Sequence, residues 1–81
     1  MFYSIATMKE VQSDIDLELD FNKSGDNYTV ALSWQENGKR IFRHVTLQHD
    51  EARKRFDKLS NAILEGCYNL ESKIKILEGE I

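Results

Sequence analysis

Apolar and polar residues alternate without a fault over residues 14–21. Ile15, Leu17, Leu19 and Phe21 fall on one side, and Asp14, Asp16, Glu18 and Asp20 on the other. A period of two is that of a half-buried strand, so the stretch predicts a strand with one core face and one acidic face. Residues 28–35 repeat the pattern, with Tyr28, Val30, Leu32 and Trp34 opposing Thr29, Ala31 and Ser33. Between them, residues 22–27 are dense in turn formers and predict a hairpin loop. Asn37-Gly38 follows, and this dipeptide between two strand-like runs predicts a two-residue type I′ hairpin, because both central positions need positive φ. That loop places Glu36 opposite Lys39, Trp34 opposite Ile41, Val30 opposite Val45 and Tyr28 opposite Leu47. Apolar then meets apolar across the strands. Arg43 opposite Leu32 breaks the pattern and predicts a sheet edge, with the arginine stem over apolar surface and its head in water. Residues 2–8 form a short apolar, β-branched run that predicts an edge strand, and residues 9–13 read as a polar loop.

After Leu47 the period changes. Ala52, Phe56, Leu59, Ile63, Cys67, Leu70, Ile74, Leu77 and Ile81 recur at spacings of three and four, a mean of about 3.6 residues, which is the straight α-helix. Asp50 and Glu51 suit the positive end of a helix, and the pairs Asp50/Lys54 and Glu51/Arg55 are acid-then-base four apart. Gly66, followed by Asn69, is a candidate break. The expectation is helix over about 50–65, then continued or restarted helix to about 78. Strand-like alternation in Lys73-Ile74-Lys75-Ile76 gives a final strand as the competing reading.

These elements predict an α+β domain, residues 1–81 as a single unit, in which an antiparallel meander of three or four strands (2–47) carries a long or Gly66-broken C-terminal helical region (50–79) on one face. A continuous helix of that length would span ~45 Å, against ~27 Å for an eight-residue strand. Leu70, Ile74, Leu77 and Ile81 would then run past the sheet, and an exposed apolar stripe calls for a partner, so a homodimer through the C-terminal halves of the helices is expected.

Composition narrows the function classes. With 41% hydrophobic and 31% charged residues the chain is that of an ordinary globular domain. The net charge of −3 gives no general pull toward nucleic acid or anionic membrane. A lone cysteine, Cys67, permits neither an intramolecular disulfide nor a paired-cysteine metal knuckle and fits a reducing, cytoplasmic setting. No apolar run is long enough to span a bilayer, and the N-terminal residues lack the basic start and apolar run of a signal peptide.

Three surface patterns carry candidate chemistry. The carboxylates of Asp14, Asp16, Glu18 and Asp20, at ~6.6–6.8 Å intervals along a strand, resemble the phosphate spacing of an extended nucleic-acid strand and suit a basic groove on another protein. The plainer reading is a solvated face that discourages edge pairing. Arg40, Phe42 and His44, outward on the last strand, match a base-stacking platform in which a ring lies under a base and cations meet phosphates. The acidic row on the same sheet face opposes a polyanion. Arg53, Lys54, Arg55 and Lys58 sit where cations oppose the helix dipole, which hints at an anionic partner or, more plainly, a salt-bridged solvent face. Catalysis has little support. Cys67 lies on the apolar stripe; His44 and His49, with Asp50 and Glu51, have no enforced metal spacing; and no phosphate-binding glycine loop or nucleophile motif occurs.

The strand-meander-then-helix order over residues 14–65 resembles small single-strand-binding coactivator domains in topology, without a shared motif. The reading that results is a small non-enzymatic protein-interaction module without cofactor or metal, in its sharpest form an acidic inhibitor or nucleic-acid mimic of phage or mobile-element type. A single-stranded nucleic-acid-binding protein and a structural subunit assembling through its C-terminal helix are the alternatives.

Overall fold

A computed structural model describes residues 2–10, 14–66 and 69–81. Cys67, and residues 11–13 of the expected loop, lie outside the described residues. Four strands, β1 (Phe2–Glu10), β2 (Ile15–Asn22), β3 (Asn27–Glu36) and β4 (Lys39–Leu47), form one antiparallel meander in the order β1-β2-β3-β4. Two helices follow, α1 (His49–Glu65) and α2 (Leu70–Leu77). The first strand is longer than the apolar run suggests: Lys9 and Glu10 also pair, with Asp16 and Ile15.

The turn chemistry sets the register. Asn37 and Gly38 have φ of 53° and 79°, as a type I′ turn requires. The β3–β4 ladder then pairs Glu36 with Lys39, Trp34 with Ile41, Val30 with Val45, and Tyr28 with Leu47, while β2 and β3 pair Leu17 with Leu32 and Leu19 with Val30. The apolar positions of β2 and β3 other than Ala31 therefore reach one face. Ile15, Leu17, Leu19, Val30, Leu32 and Trp34 are buried there beneath Ala52, Phe56, Leu59, Ala62 and Ile63 of α1 and Ile76 and Leu77 of α2. Arg43 stands half-exposed on the edge strand β4, its guanidinium 4.0 Å from Glu78.

The helical region is two helices, not one continuous rod. Gly66 adopts the left-handed conformation (φ 65°) and its N–H donates to the carbonyls of Ala62 and Ile63, which closes α1. Asn69 caps α2, its Oδ1 accepting from the Ser72 N–H at 2.8 Å. The second helix lies back against α1, β3 and β4. Leu77 is fully buried, and Leu70 and Ile74 pack against the core from its margin. The largest dimension of the fold, 33 Å, is shorter than the ~45 Å of a continuous helix. The expected overhang of Leu70, Ile74, Leu77 and Ile81 is thus corrected: the stripe folds onto the molecule's own core, because breaking the helix lets its second half bury apolar surface that a rod would leave in water. Of the four, only Ile81 stands well exposed, at 53%.

Side chains lock the second helix in place. Arg55 Nη1 donates to the Leu77 carbonyl at 2.7 Å while Nη2 meets Glu51 at 3.0 Å, and Lys58 Nζ donates to the Ile81 carbonyl at 2.5 Å. Lys73, itself buried, meets Glu10 of β1 at 3.2 Å.

Candidate interaction surface on the open sheet face

Both helices occupy one side of the sheet, so the other side is left open. Cross-strand pairing arranges its residues in rows: Lys9–Asp16–Ser33–Phe42, then Thr7–Glu18–Ala31–His44, then Ser4–Asp20–Thr29–Thr46. Carboxylates thus rise from β2 and an aromatic–imidazole pair from β4. The small residues of β3 leave a trough between them.

The acidic row is not uniform. Asp14 lies outside β2, in a turn with φ of 51°, and does not continue the strand's alternation. Its carboxylate is 3.1 Å from Arg40 Nη1 and 3.8 Å from Lys9 Nζ, and its carbonyl accepts from Arg40 Nη1 at 3.2 Å. Asp16 accepts from Arg40 Nη2 at 2.5 Å, and that nitrogen also donates to Ser33 Oγ at 3.0 Å. The Arg40 guanidinium therefore reaches from β4 across β3 to the start of β2 and pairs with two of the row's four carboxylates. Glu18 and Asp20 differ: among the described residues no cation lies within ion-pair distance of either. Partial burial raises the Asp20 carboxyl above its ordinary value of 3.8, and the neighbouring Glu18 charge and a hydrogen bond with the Glu18 carboxyl push the same way.

The other expected row is divided as well. Arg40, its side chain only 23% exposed, is held by the sheet's own acids. Phe42 is 65% exposed and His44 is exposed beside it. Two hollows flank Phe42. One, of about 510 Å³, is lined by Lys9, Asp16, Glu18, Ala31, Ser33 and Arg40 among others. The second, of about 280 Å³, is lined by Phe2, Asp20, Thr29 and His44. Ala31 and Phe42 belong to both, so the two make one trough over β3 with a methyl floor, an aromatic wall and a carboxylate wall.

Three of the four helix cations, Arg53, Arg55 and Lys58, find partners within the chain. Arg53 lies 3.7 Å from Asp57, Arg55 holds the Leu77 carbonyl at the end of α2, and Lys58 the Ile81 carbonyl beyond it. Asp50, expected to pair with Lys54, is instead 2.9 Å from His49 Nδ1, and the His49 ring meets Tyr28 edge-on at 5.1 Å. His44 lies on the open face, away from that cluster, and among the described residues no group of three or more His, Cys, Asp or Glu is placed to hold a metal. No helix of the described residues is long and apolar enough to cross a membrane. Sequence reasoning missed the Lys73–Glu10 tie. Its signal was present: Lys73 stands three residues after Leu70 and four before Leu77, on the inward stripe of α2. No family, curated protein or solved structure gives a significant match to the chain.

Proposed function

We propose that the protein is a small non-enzymatic interaction module that binds a basic surface of another protein through the open sheet face. The observation that carries this reading is Glu18 and Asp20, two carboxylates with no counter-ion among the described residues, lining the same trough as the exposed Phe42. A cation entering there gains Coulomb attraction in a partly desolvated site and relieves the Glu18–Asp20 repulsion, while Phe42 supplies apolar contact. The partner chemistry is a lysine- or arginine-bearing segment with apolar neighbours. An acidic inhibitor or nucleic-acid mimic, of the kind phages and mobile elements carry, is the narrower form, with the mimicry confined to Glu18 and Asp20. The single cysteine supports a reducing, cytoplasmic setting.

Single-stranded nucleic-acid binding is the weaker alternative. It needs Arg40 on a phosphate, and Arg40 is engaged by Asp14 and Asp16. It also needs a polyanion to approach His44 in the row that holds Glu18. Assembly through the C-terminal helix is weaker still, since Leu70, Ile74 and Leu77 turn inward. Parallel anisotropy titrations with a labelled basic–aromatic peptide and a labelled single-stranded oligonucleotide separate these readings. Salt-sensitive peptide binding, lost in Glu18→Lys/Asp20→Lys and weakened in Phe42→Ala, is the expected outcome. Oligonucleotide binding that is lost in Phe42→Ala and strengthened by Glu18→Lys/Asp20→Lys would overturn it.

A further inference from the structure

The two edges of the sheet are built differently. On β4 the edge carries Lys39 and Arg43, charges of the kind that keep foreign strands away. The β1 edge carries no charge from Phe2 to Met8. It exposes Phe2 (59%), Tyr3 (44%) and Ile5 (51%), three of the six exposed large hydrophobic residues among those described. An edge strand whose first seven residues carry no charge is a template for another strand.

We infer that the occupant is the β1 strand of a second copy, paired antiparallel about a two-fold axis at Ala6. The argument is the register. The β1–β2 ladder skips one residue between Ser4 and Ala6, so Ile5 is a bulge. On the open face stand Phe2, Ser4, Thr7 and Lys9, and on the helix face Tyr3, Ala6, Met8 and Glu10. With Ile5 set aside in both copies, pairing about Ala6 matches faces throughout. Phe2 meets Lys9 of the second copy, Tyr3 meets Met8, Ser4 meets Thr7, and Ala6 meets Ala6.

Each pair is chemically compatible: a cation beside a ring, a thioether beside a ring, two hydroxyls, and two methyl groups at the axis. The two Lys9 side chains are six ladder positions apart, about 20 Å, so like charges do not meet. Bulges commonly blunt an edge by twisting it. Here both copies carry the same bulge at the same distance from the axis, so their twists match. The product is an eight-stranded sheet with all helices on one side and both Glu18–Asp20 pairs on the other. This inference is independent of the reading given for the open face.

Light scattering on the whole chain at about 100 μM tests it. Twice the 9.5 kDa chain mass is expected. Ser4→Lys/Thr7→Lys sets like charges opposite each other twice across the axis, while within each chain they lie beside Asp20 and Glu18. It should give the single-chain mass with an unchanged circular dichroism spectrum. Ser4→Lys/Thr7→Glu sets opposite charges there and should keep the doubled mass. Amide exchange on the unmodified chain supplies a readout independent of whether the variants fold, because β1 amides should exchange more slowly as concentration rises. A single-chain mass at 100 μM, doubled mass in Ser4→Lys/Thr7→Lys, or β1 exchange indifferent to concentration would overturn the inference. Doubled mass with slowed exchange elsewhere than β1 would likewise place the interface on another surface and overturn it.

Discussion

Replacing Arg40 by methionine keeps a stem of similar length and removes the guanidinium. That group holds the Asp14 carboxylate and carbonyl, the Asp16 carboxylate and Ser33 Oγ, at 2.5–3.2 Å. Both aspartates are almost half exposed, so each ion pair is worth only about 0.5–1 kcal/mol after solvent screening. The bond to Ser33 adds about 0.5–1 kcal/mol. The expected loss is therefore about 1.5–3 kcal/mol, with a fall in melting temperature of about 4–8 °C per kcal/mol for a domain of this size. Urea unfolding followed by fluorescence of the buried Trp34 measures it, at one fixed protein concentration because association would add to stability. In ~1 M salt the difference should shrink by roughly half, since the pairs are partly screened. Arg40→Lys should recover only part of the loss, because one ammonium cannot reproduce the planar fork. A loss below about 0.3 kcal/mol, or one indifferent to both salt and Arg40→Lys, would refute the claim that Arg40 is spent on the sheet's own acids.

Asp20→Asn is expected to stabilise the fold at neutral pH. The folded chain holds the Asp20 proton more tightly than the unfolded chain, so stability falls as pH rises from 3.8 through the raised folded value and stays lower above it. The amide removes that penalty; paired pH titrations of the urea midpoint should show the advantage vanish below about pH 3.8, and a gain that persists there would refute the cause. Leu77→Ala truncates a fully buried side chain that joins α2 to α1 and should cost about 2–5 kcal/mol, whereas Ile81→Ala should stay within about 0.5 kcal/mol by the same assay.

Periodicity carried much of the fold. The two-residue alternation of β2 and β3 and the Asn37-Gly38 turn dictate which residues face the core, because side-chain direction in a strand follows directly from position. The stripe from Ala52 to Ile63 dictates α1 for the same kind of reason, through its 3.6-residue repeat. Arg43 at an edge was also legible, because one charge in an apolar register needs water nearby.

The site was less legible. Alternation placed Asp16, Glu18 and Asp20 on one face and Arg40, Phe42 and His44 on the same face two strands away, but their energetics depend on reach. Arg40 is long enough to cross β3 only because Ser33 is small, and Asp14 meets it only because the chain turns at positive φ. A sequence lists these charges as two rows; the folded sheet ties two of the four carboxylates of one to the cation of the other. The fate of α2 had the same character. Its stripe of Leu70, Ile74 and Leu77 is amphipathic whether it faces a partner or its own sheet, since local periodicity fixes which side is apolar but not what covers it. The docking of Arg55, Lys58 and Lys73 on groups at least 22 residues away decides that, and such contacts exist only once the two helices, and for Lys73 the first strand, have come together. The sequence by itself therefore determined strands β2 to β4, the register of the β3–β4 hairpin and the first helix, through short-range stereochemistry. The tertiary structure alone decided which charges remain unpaired and which apolar surfaces remain bare, because both depend on distances between residues remote in the chain.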